Sequence, residues 1–153
     1  MRMLIQKVKQ AKVIVDGKVV GAIHQGLCVF VGFSKQENPS SIPQWVDKLL
    51  GLRIFPNAEG KMHYNVLDAQ GEILVVSQFT LYAQMDGRRP SFTESMPSSE
   101  AKKIYDDFLQ ELTIQIKRHH TGSKIASGVF GAHMEVDLIN DGPLTFWLDM
   151  DES

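Results

Sequence analysis

Apolar residues change their spacing several times along the chain, and each change marks an element. From Arg2 to Phe33 they fall in short, β-branched stretches. Val13, Val15 and Val19 flank Asp16-Gly17, a dipeptide favoured in tight hairpins because glycine readily adopts positive φ. This opening predicts strands, of which Leu27 to Phe33 is the most buried. Between Ser41 and Leu50 the period becomes helical: Ile42, Trp45, Val46, Leu49 and Leu50 share one face, with Pro43 near the start. Pro56, Asn57 and Gly60 mark a turn before a second strand pair, itself broken by Asp68 to Gly71. The run Ile73-Leu74-Val75-Val76 in that region reads as a strand buried on both faces. A longer helix is predicted over Ser98 to Arg118, capped by Ser98 after Pro97. Its apolar stripe is Ala101, Tyr105, Phe108, Leu112 and Ile116, and Lys117 and Arg118 suit the negative end of its dipole. Val129 to Ile139 and Leu144 to Met150 read as two strands around Asn140-Asp141-Gly142-Pro143. The class is mixed α and β: one compact, strand-rich domain over residues 1–153 with two main helices, no repeat and no linker.

Composition permits this reading without adding to it. A chain of 153 residues suits one domain, and a chain of that size buries about two-thirds of its unfolded surface. The net charge of −2 is no nucleic-acid footprint, so an RNA partner would have to be held by local positive patches. The one cysteine, Cys28, lies in Leu27-Cys28-Val29-Phe30-Val31 and reads as a small core hydrophobe. It cannot form an intrachain disulfide, which favours a reducing compartment. Met1 to Gln10 carries charges throughout and reads as a strand, not a signal peptide. No run approaches the roughly 18 apolar residues of a membrane span. The expectation is a soluble, cytoplasmic protein with no membrane partner.

What is missing narrows the chemistry. There is no Gly-x-Ser-x-Gly elbow for an ordinary α/β-hydrolase nucleophile. There is no His-Glu-x-x-His pair and no cysteine cluster, so no metal is expected. No Walker or Rossmann glycine pattern calls for a nucleotide cofactor, and none is expected. His119 and His120 are adjacent at the end of the long helix, where neighbouring side chains diverge, and they read as a solvated terminus. His24, His63 and His133 are isolated, and only folding could assemble them.

Two segments remain. Ser77-Gln78-Phe79-Thr80-Leu81 ends the buried strand and switches abruptly to hydroxyl and amide side chains. Such groups at a strand end either satisfy the backbone or are aimed by a rigid scaffold at chemistry. Asn140-Asp141-Gly142-Pro143-Leu144-Thr145 places Gly-Pro between two strand-like stretches. Composition alone reads it as a turn with a trans peptide, the commoner state of X–Pro bonds. Arg88 and Arg89 follow the first segment closely, with Gln84 to Gly87 as a flexible lead. The pair is either a solvated face or a phosphate contact, and Lys117, Arg118 and Lys124 cluster later. Trp45 and Trp147 each sit in a regular apolar pattern and read as core or interface anchors, not base-stacking platforms.

Together the two segments resemble the signatures of the D-aminoacyl-tRNA deacylase family. Arg53-Ile54-Phe55, Arg89-Pro90-Ser91-Phe92, Gly128 to Met134 and Phe146-Trp147-Leu148 fit the same pattern, so the likeness runs from end to end. The resemblance implies the deacylase fold, a homodimer with active sites at the subunit interface, and an aminoacylated tRNA 3′ end as substrate. It places Ser77, Gln78, Phe79 and Thr80 around the aminoacylated ribose. It makes Gly142-Pro143 a cis peptide projecting into the partner's site, where its carbonyls crowd the place of an L side chain. Achiral glycine would be poorly excluded. Asn140 and Thr145 are expected to brace that segment by hydrogen bonding. Ester hydrolysis needs donors for a developing oxyanion, and the amides of Phe79 and Thr80 are the candidates. A hydroxyl attacks poorly without a base, and none lies near Ser77 to Ala83 in sequence. Water attack assisted by the vicinal ribose hydroxyl is therefore expected, with Thr80 as covalent nucleophile the lesser option. Two rivals stand beside this reading: a tRNA-end binder that has lost hydrolysis, and a general serine or threonine esterase.

Overall fold

The computed structural model describes residues 1–119 and 122–151. The opening folds into three strands, β1 (Arg2–Val15), β2 (Lys18–Ile23) and β3 (Gly26–Gly32). Asp16 and Gly17 have φ of 50° and 78°, and Val15 pairs directly with Lys18, the two-residue connection whose twist matches the flanking strands. Helix α1 (Ile42–Gly51) and a small hairpin of β4 (Phe55–Pro56) and β5 (Met62–Tyr64) follow. Then come β6 (Glu72–Ser77), a 3-10 turn at Phe79–Tyr82, and a second hairpin of β7 (Gln84–Asp86) and β8 (Arg89–Ser91). Helix α2 (Ser98–Arg118), β9 (Ile125–Ser127) and β10 (Glu135–Asp149) complete the described chain.

Six strands form one sheet in the order β10-β1-β3-β6-β9, with β2 also paired to β1. β1 is antiparallel to β10, β2 and β3, whereas β6 runs parallel to both β3 and β9. The two parallel neighbours at the centre are buried on both faces, as their continuous apolar runs require. Leu27, Val29, Val31, Ile73 and Val75 face a core shared with the helices. Cys28, Leu74 and Val76 face a second core with Val8, Ala11, Val13 and Ile23. The sheet covers that second face itself by curling until β2 meets β9: a Cβ at Gly21 would stand 2.6 Å from the Ser127 carbonyl oxygen. The curl depends on a bulge in β1. Val8 and Gln10 pair with the adjacent residues Asn140 and Ile139, so Lys9 is one residue too many and Val8 and Ala11 point into the same core.

The helices close the other face. α1 buries Ile42, Trp45, Val46, Leu49 and Leu50, and α2 buries Ala101, Tyr105, Phe108, Leu112 and Ile116 among others. The Tyr105 hydroxyl donates to the Val75 carbonyl at 3.1 Å, fixing α2 on β6, and Gln115 Nε2 donates to the Pro43 carbonyl at 3.0 Å, fixing it on α1. Cys28 is fully buried, and burial pushes its thiol up to about 12.

Four local expectations change. Residues 129–134 lie outside any strand, with a turn and bend at 130–132, and 135–149 form one strand, because pairing with β1 continues on both sides of Gly142-Pro143. The strands on either side of Asp68 to Gly71 do not pair with each other: β5 pairs with β4, and β6 inserts between β3 and β9. Ser98 makes no side-chain cap, because the N-cap position falls on Pro97. Gln84 to Gly87 is no flexible lead, since β7 and β8 close a hairpin through Gly87, whose φ is 61°. Trp45 is buried against Phe33, but Trp147 is 50% exposed. His119 ends α2, and His120 lies outside the described residues.

The contact between β3 and β6 yields a stability test. A Cβ at Gly26 would sit 1.8 Å from the Glu72 carbonyl oxygen, whereas one at Gly51 meets nothing within 4 Å. Gly26→Ala is expected to cost about 3 kcal/mol, and Gly51→Ala to gain about 0.5 kcal/mol by restricting the unfolded chain. Urea midpoints of the two variants decide this, and a Gly26→Ala midpoint equal to the parent's contradicts the close strand approach.

Candidate active site

The end of β6 opens onto a cavity of about 580 Å³. Ser77, Gln78 and Phe79 form one wall, Phe92, Ser95 and Met96 a second, and Phe130, His133 and Met134 a third, with Ala101 of α2 also in the lining. The size suits a small organic group, and most of the lining is apolar with a few convergent polar atoms. His133 is the one ionisable side chain among these lining residues.

The turn after β6 is held tightly from behind. The Gln78 N–H donates to the Val31 carbonyl at 2.7 Å, and Gly32 lies so close beneath that a Cβ there would be 2.7 Å from the Gln78 oxygen. The Ser95 hydroxyl donates to the Phe79 carbonyl at 3.0 Å, and Arg2 Nη1 donates to the Leu81 carbonyl at 2.9 Å. Arg2 also pairs with Asp149 at 3.1 Å and lies 4.4 Å over the Tyr82 ring. The Tyr82 hydroxyl donates to Asp151 at 2.5 Å and to Glu37 at 3.2 Å, and the α-ammonium of Met1 reaches both carboxylates. Burial, and then the hydrogen bond to Asp151, push the Tyr82 phenol far above its ordinary range, so it stays a neutral donor.

With the turn pinned, its leading amides are left over. A 3-10 helix cannot satisfy its own first N–H groups. Among the described residues the Phe79 and Thr80 amides donate to no protein group, although the Leu81 and Ala83 amides close the turn. Phe79 and Thr80 are both exposed, and Gln78 Nε2 donates to the Thr80 hydroxyl. Two free, fixed N–H groups at the mouth of a cavity can hold an anionic oxygen.

Asn140, Gly142, Pro143 and Thr145 are not in that cavity. Gln6 pairs with Thr145 and Val8 with Asn140, so Asp141, Gly142, Pro143 and Leu144 bulge out opposite Lys7. Proline brings no N–H to a ladder and fits a bulge on an edge strand, as here. The Gly142-Pro143 peptide is cis, and both residues are exposed. The neck of the bulge is closed by Asn140 Nδ2, which donates to the Lys7 and Leu144 carbonyls, each at 3.0 Å. The buried Lys7 ammonium lies 3.4 Å from Asp141, and Gln6 Nε2 donates to the Thr145 hydroxyl at 3.2 Å. Arg88 and Arg89 stand exposed on the β7–β8 hairpin, outside the lining.

Within one chain, then, Ser77, Gln78 and Phe79 are assembled on a cavity with Thr80 beside them, and the Gly-Pro segment is displayed elsewhere. Sequence reasoning gave no role to Phe92, Ser95, Met96, Phe130, His133 or Met134. Two blocks containing four of them, Arg89 to Phe92 and Gly128 to Met134, already stood out as matching pieces. Ser95 and Met96 had no signal, being loop residues without a pattern. Among the described residues no group of three or more His, Cys, Asp or Glu side chains could hold a metal ion. No helix among them is long and apolar enough to cross a membrane.

The chain is similar to known proteins over nearly its whole length. Residues 4–149 match the family model described as D-Tyr-tRNA(Tyr) deacylase. The chain is 48% identical to a D-aminoacyl-tRNA deacylase from Thermosipho africanus over 97% of each chain, and 48% identical to one from Aquifex aeolicus over 99% of each. It is similar to a solved structure described as a c-Myc DNA unwinding element binding protein, with a TM-score of 0.89 and 38% identity over 97% of this chain and 98% of that one. A probable eukaryotic D-amino acid tRNA deacylase superposes with a TM-score of 0.85 at 19% identity, covering 97% and 98%, a likeness of fold.

Asn140 is the sharpest test of the bulge. Asn140→Asp would set a carboxylate against two carbonyl acceptors and strand both, at an expected cost of about 2 kcal/mol. Thr145→Val removes only an exposed hydrogen bond and is expected to change stability by less than about 0.5 kcal/mol. Equilibrium denaturation at pH 7 distinguishes them, and equal effects would mean that Asn140 does not close the bulge.

Proposed function

We propose, from the premise that this chain belongs to the D-Tyr-tRNA(Tyr) deacylase family, that it hydrolyses the ester of D-aminoacyl-tRNA to free D-amino acid and tRNA. It does so as one domain over residues 1–153, in the cytoplasm where tRNA is charged. The observation that carries the chemistry is the pair of free amides at Phe79, which lines the cavity, and at its neighbour Thr80. Water adds to the ester carbonyl, whose oxygen gains negative charge and is held by these two N–H groups. The vicinal ribose hydroxyl relays the proton from the attacking water to the leaving ribose oxygen as the acyl bond breaks. No covalent enzyme intermediate forms. The Thr80 hydroxyl has Gln78 Nε2 as its protein partner among the described residues, an amide that cannot act as the base a nucleophile needs. Ser77 and Gln78 shape the ribose side of the site, and Arg88 and Arg89 meet phosphates of the tRNA 3′ end.

Chirality is read by a second copy of the chain. Gly142 and Pro143 are exposed on an edge strand and do not line their own chain's cavity. In a two-fold homodimer each bulge enters the partner's site, and the braces from Asn140 and Thr145 hold it there. Its backbone carbonyls occupy the space of an L side chain, so D residues pass whatever their side chain and L residues do not. Glycine, with no side chain to reject, is also cleaved. A long unpaired edge strand in solvent invites such pairing.

The decisive assay compares D- and L-tyrosyl-tRNA under matched conditions. Release of D-tyrosine alone is expected, with glycyl-tRNA also cleaved. Equal rates for the two enantiomers, or none for either, defeat the proposal.

Complementation tests the composite site. Phe79→Pro, which removes an amide donor, is mixed with a variant lacking Gly142 and Pro143. The first is expected to be inactive alone and the second to cleave L- as well as D-tyrosyl-tRNA, whereas the one working site in each mixed dimer receives an intact bulge and is expected to recover preference for the D ester. Full activity in a monomer, or no recovery in verified mixed dimers, overturns the assignment in trans.

A further inference from the structure

Phe79 and Phe92 stand at the mouth of the cavity with 56% and 42% of their surfaces in solvent, and neither belongs to a core cluster. Their ring centroids are 5.0 Å apart and the rings are inclined at 60°. Both are held by one residue: the Ser95 N–H donates to the Phe92 carbonyl and the Ser95 hydroxyl to the Phe79 carbonyl, each at 3.0 Å. A fixed aromatic pair facing water costs hydration free energy that folding does not recover. Arg89 lies three residues before Phe92, and Arg88 sits at the hairpin turn. Asp86 is opposite Arg89 in the hairpin, yet among the described residues neither guanidinium is in an ion pair.

Exposed rings beside unpaired cations, continuous with a cavity, are what a single strand of nucleic acid needs: a face for each base and charge for each phosphate. Resting on the deacylase reading above, we infer that the Phe79–Phe92 pair is a stacking platform for the unpaired nucleobase that precedes the esterified nucleotide. Arg88 and Arg89 take the phosphates that flank it. The cavity then holds the esterified end, and the platform holds the next base outside. Because every base has a π-face, the platform is indifferent to sequence and serves all tRNAs alike. Phe79 thereby links the two tasks: its amide faces the reacting ester and its ring faces the incoming strand.

The test compares D-tyrosyl-tRNA with D-tyrosyl-adenosine, an ester that has no preceding nucleotide. For Phe92→Leu, the ratio of kcat/KM on the tRNA ester to that on the adenosine ester is expected to fall about tenfold, the size of one lost base stack. Phe92→Tyr keeps the ring and is expected to keep the ratio. Equal losses on both esters, or no loss on either, overturn the platform. So does a change of oligomeric state by sedimentation, which would make the ring a subunit contact. Wild-type cleavage of the two esters reports on the deacylase reading itself. If neither is cleaved, binding of uncharged tRNA still decides the platform: Phe92→Leu is expected to weaken it about tenfold, and an unchanged Kd refutes it.

Discussion

The pairing of β1 along both of its edges is the constraint on which the rest of the structure depends. Its first half bonds to β3 and its second half to β2, while β10 follows the other edge from end to end. A buried strand with partners on both sides satisfies nearly all of its N–H and C=O groups, and any departure from register has to be repaired locally. Two departures occur. Lys9 adds one residue to β1 and turns the sheet over to cover itself, and Asp141 to Leu144 add a loop to β10 at Lys7. The first makes the second core and the second makes the displayed Gly-Pro segment. Asn140 is the repair, since its amide group takes the two carbonyls that the loop would otherwise strand.

The site on β6 depends on the same strand by another route. β6 pairs parallel to β3, which pairs with β1. Past Ser77 the chain leaves the sheet, and the tight seat over Gly32 allows it no freedom to wander. Arg2, at the start of β1, holds the far end of the turn by the Leu81 carbonyl while bonding Asp149 at the end of β10. The sheet's two long strands therefore clamp the turn whose leading amides are left free. Rigidity of this kind is what electrostatic stabilisation requires, because donors already in place do not reorganise when charge develops.

The cavity and the Gly142-Pro143 bulge are also kept apart by this geometry. β10 is the edge of the sheet and the cavity opens at the end of β6, three strands across in the order β10-β1-β3-β6. One chain presents the cavity and the bulge on different parts of one sheet. The composite site proposed above therefore requires a second copy, and two-fold symmetry would form both such sites at once.

By itself the sequence determined the periodic parts of this protein. The helices over Ile42–Gly51 and Ser98–Arg118, the tight turn at Asp16-Gly17 and the doubly buried run at Ile73 to Val76 follow from side-chain spacing, because burial on one face or two writes a period into the chain. The polar switch at Ser77-Gln78-Phe79-Thr80 was legible for the same reason, as a break in such a run. Tertiary structure alone decided what has no period. Whether Gly142-Pro143 ends a strand or bulges from one depends on β1 pairing on both sides of it, 130 residues away in the chain and more. That β6 joins β3 rather than its sequence neighbour is a matter of which edges meet. Phe92, Ser95 and His133 reach the cavity from loops placed by α2 and the curled sheet. Local spacing carries no record of such meetings, because they are made by surfaces that find each other only once the chain has folded.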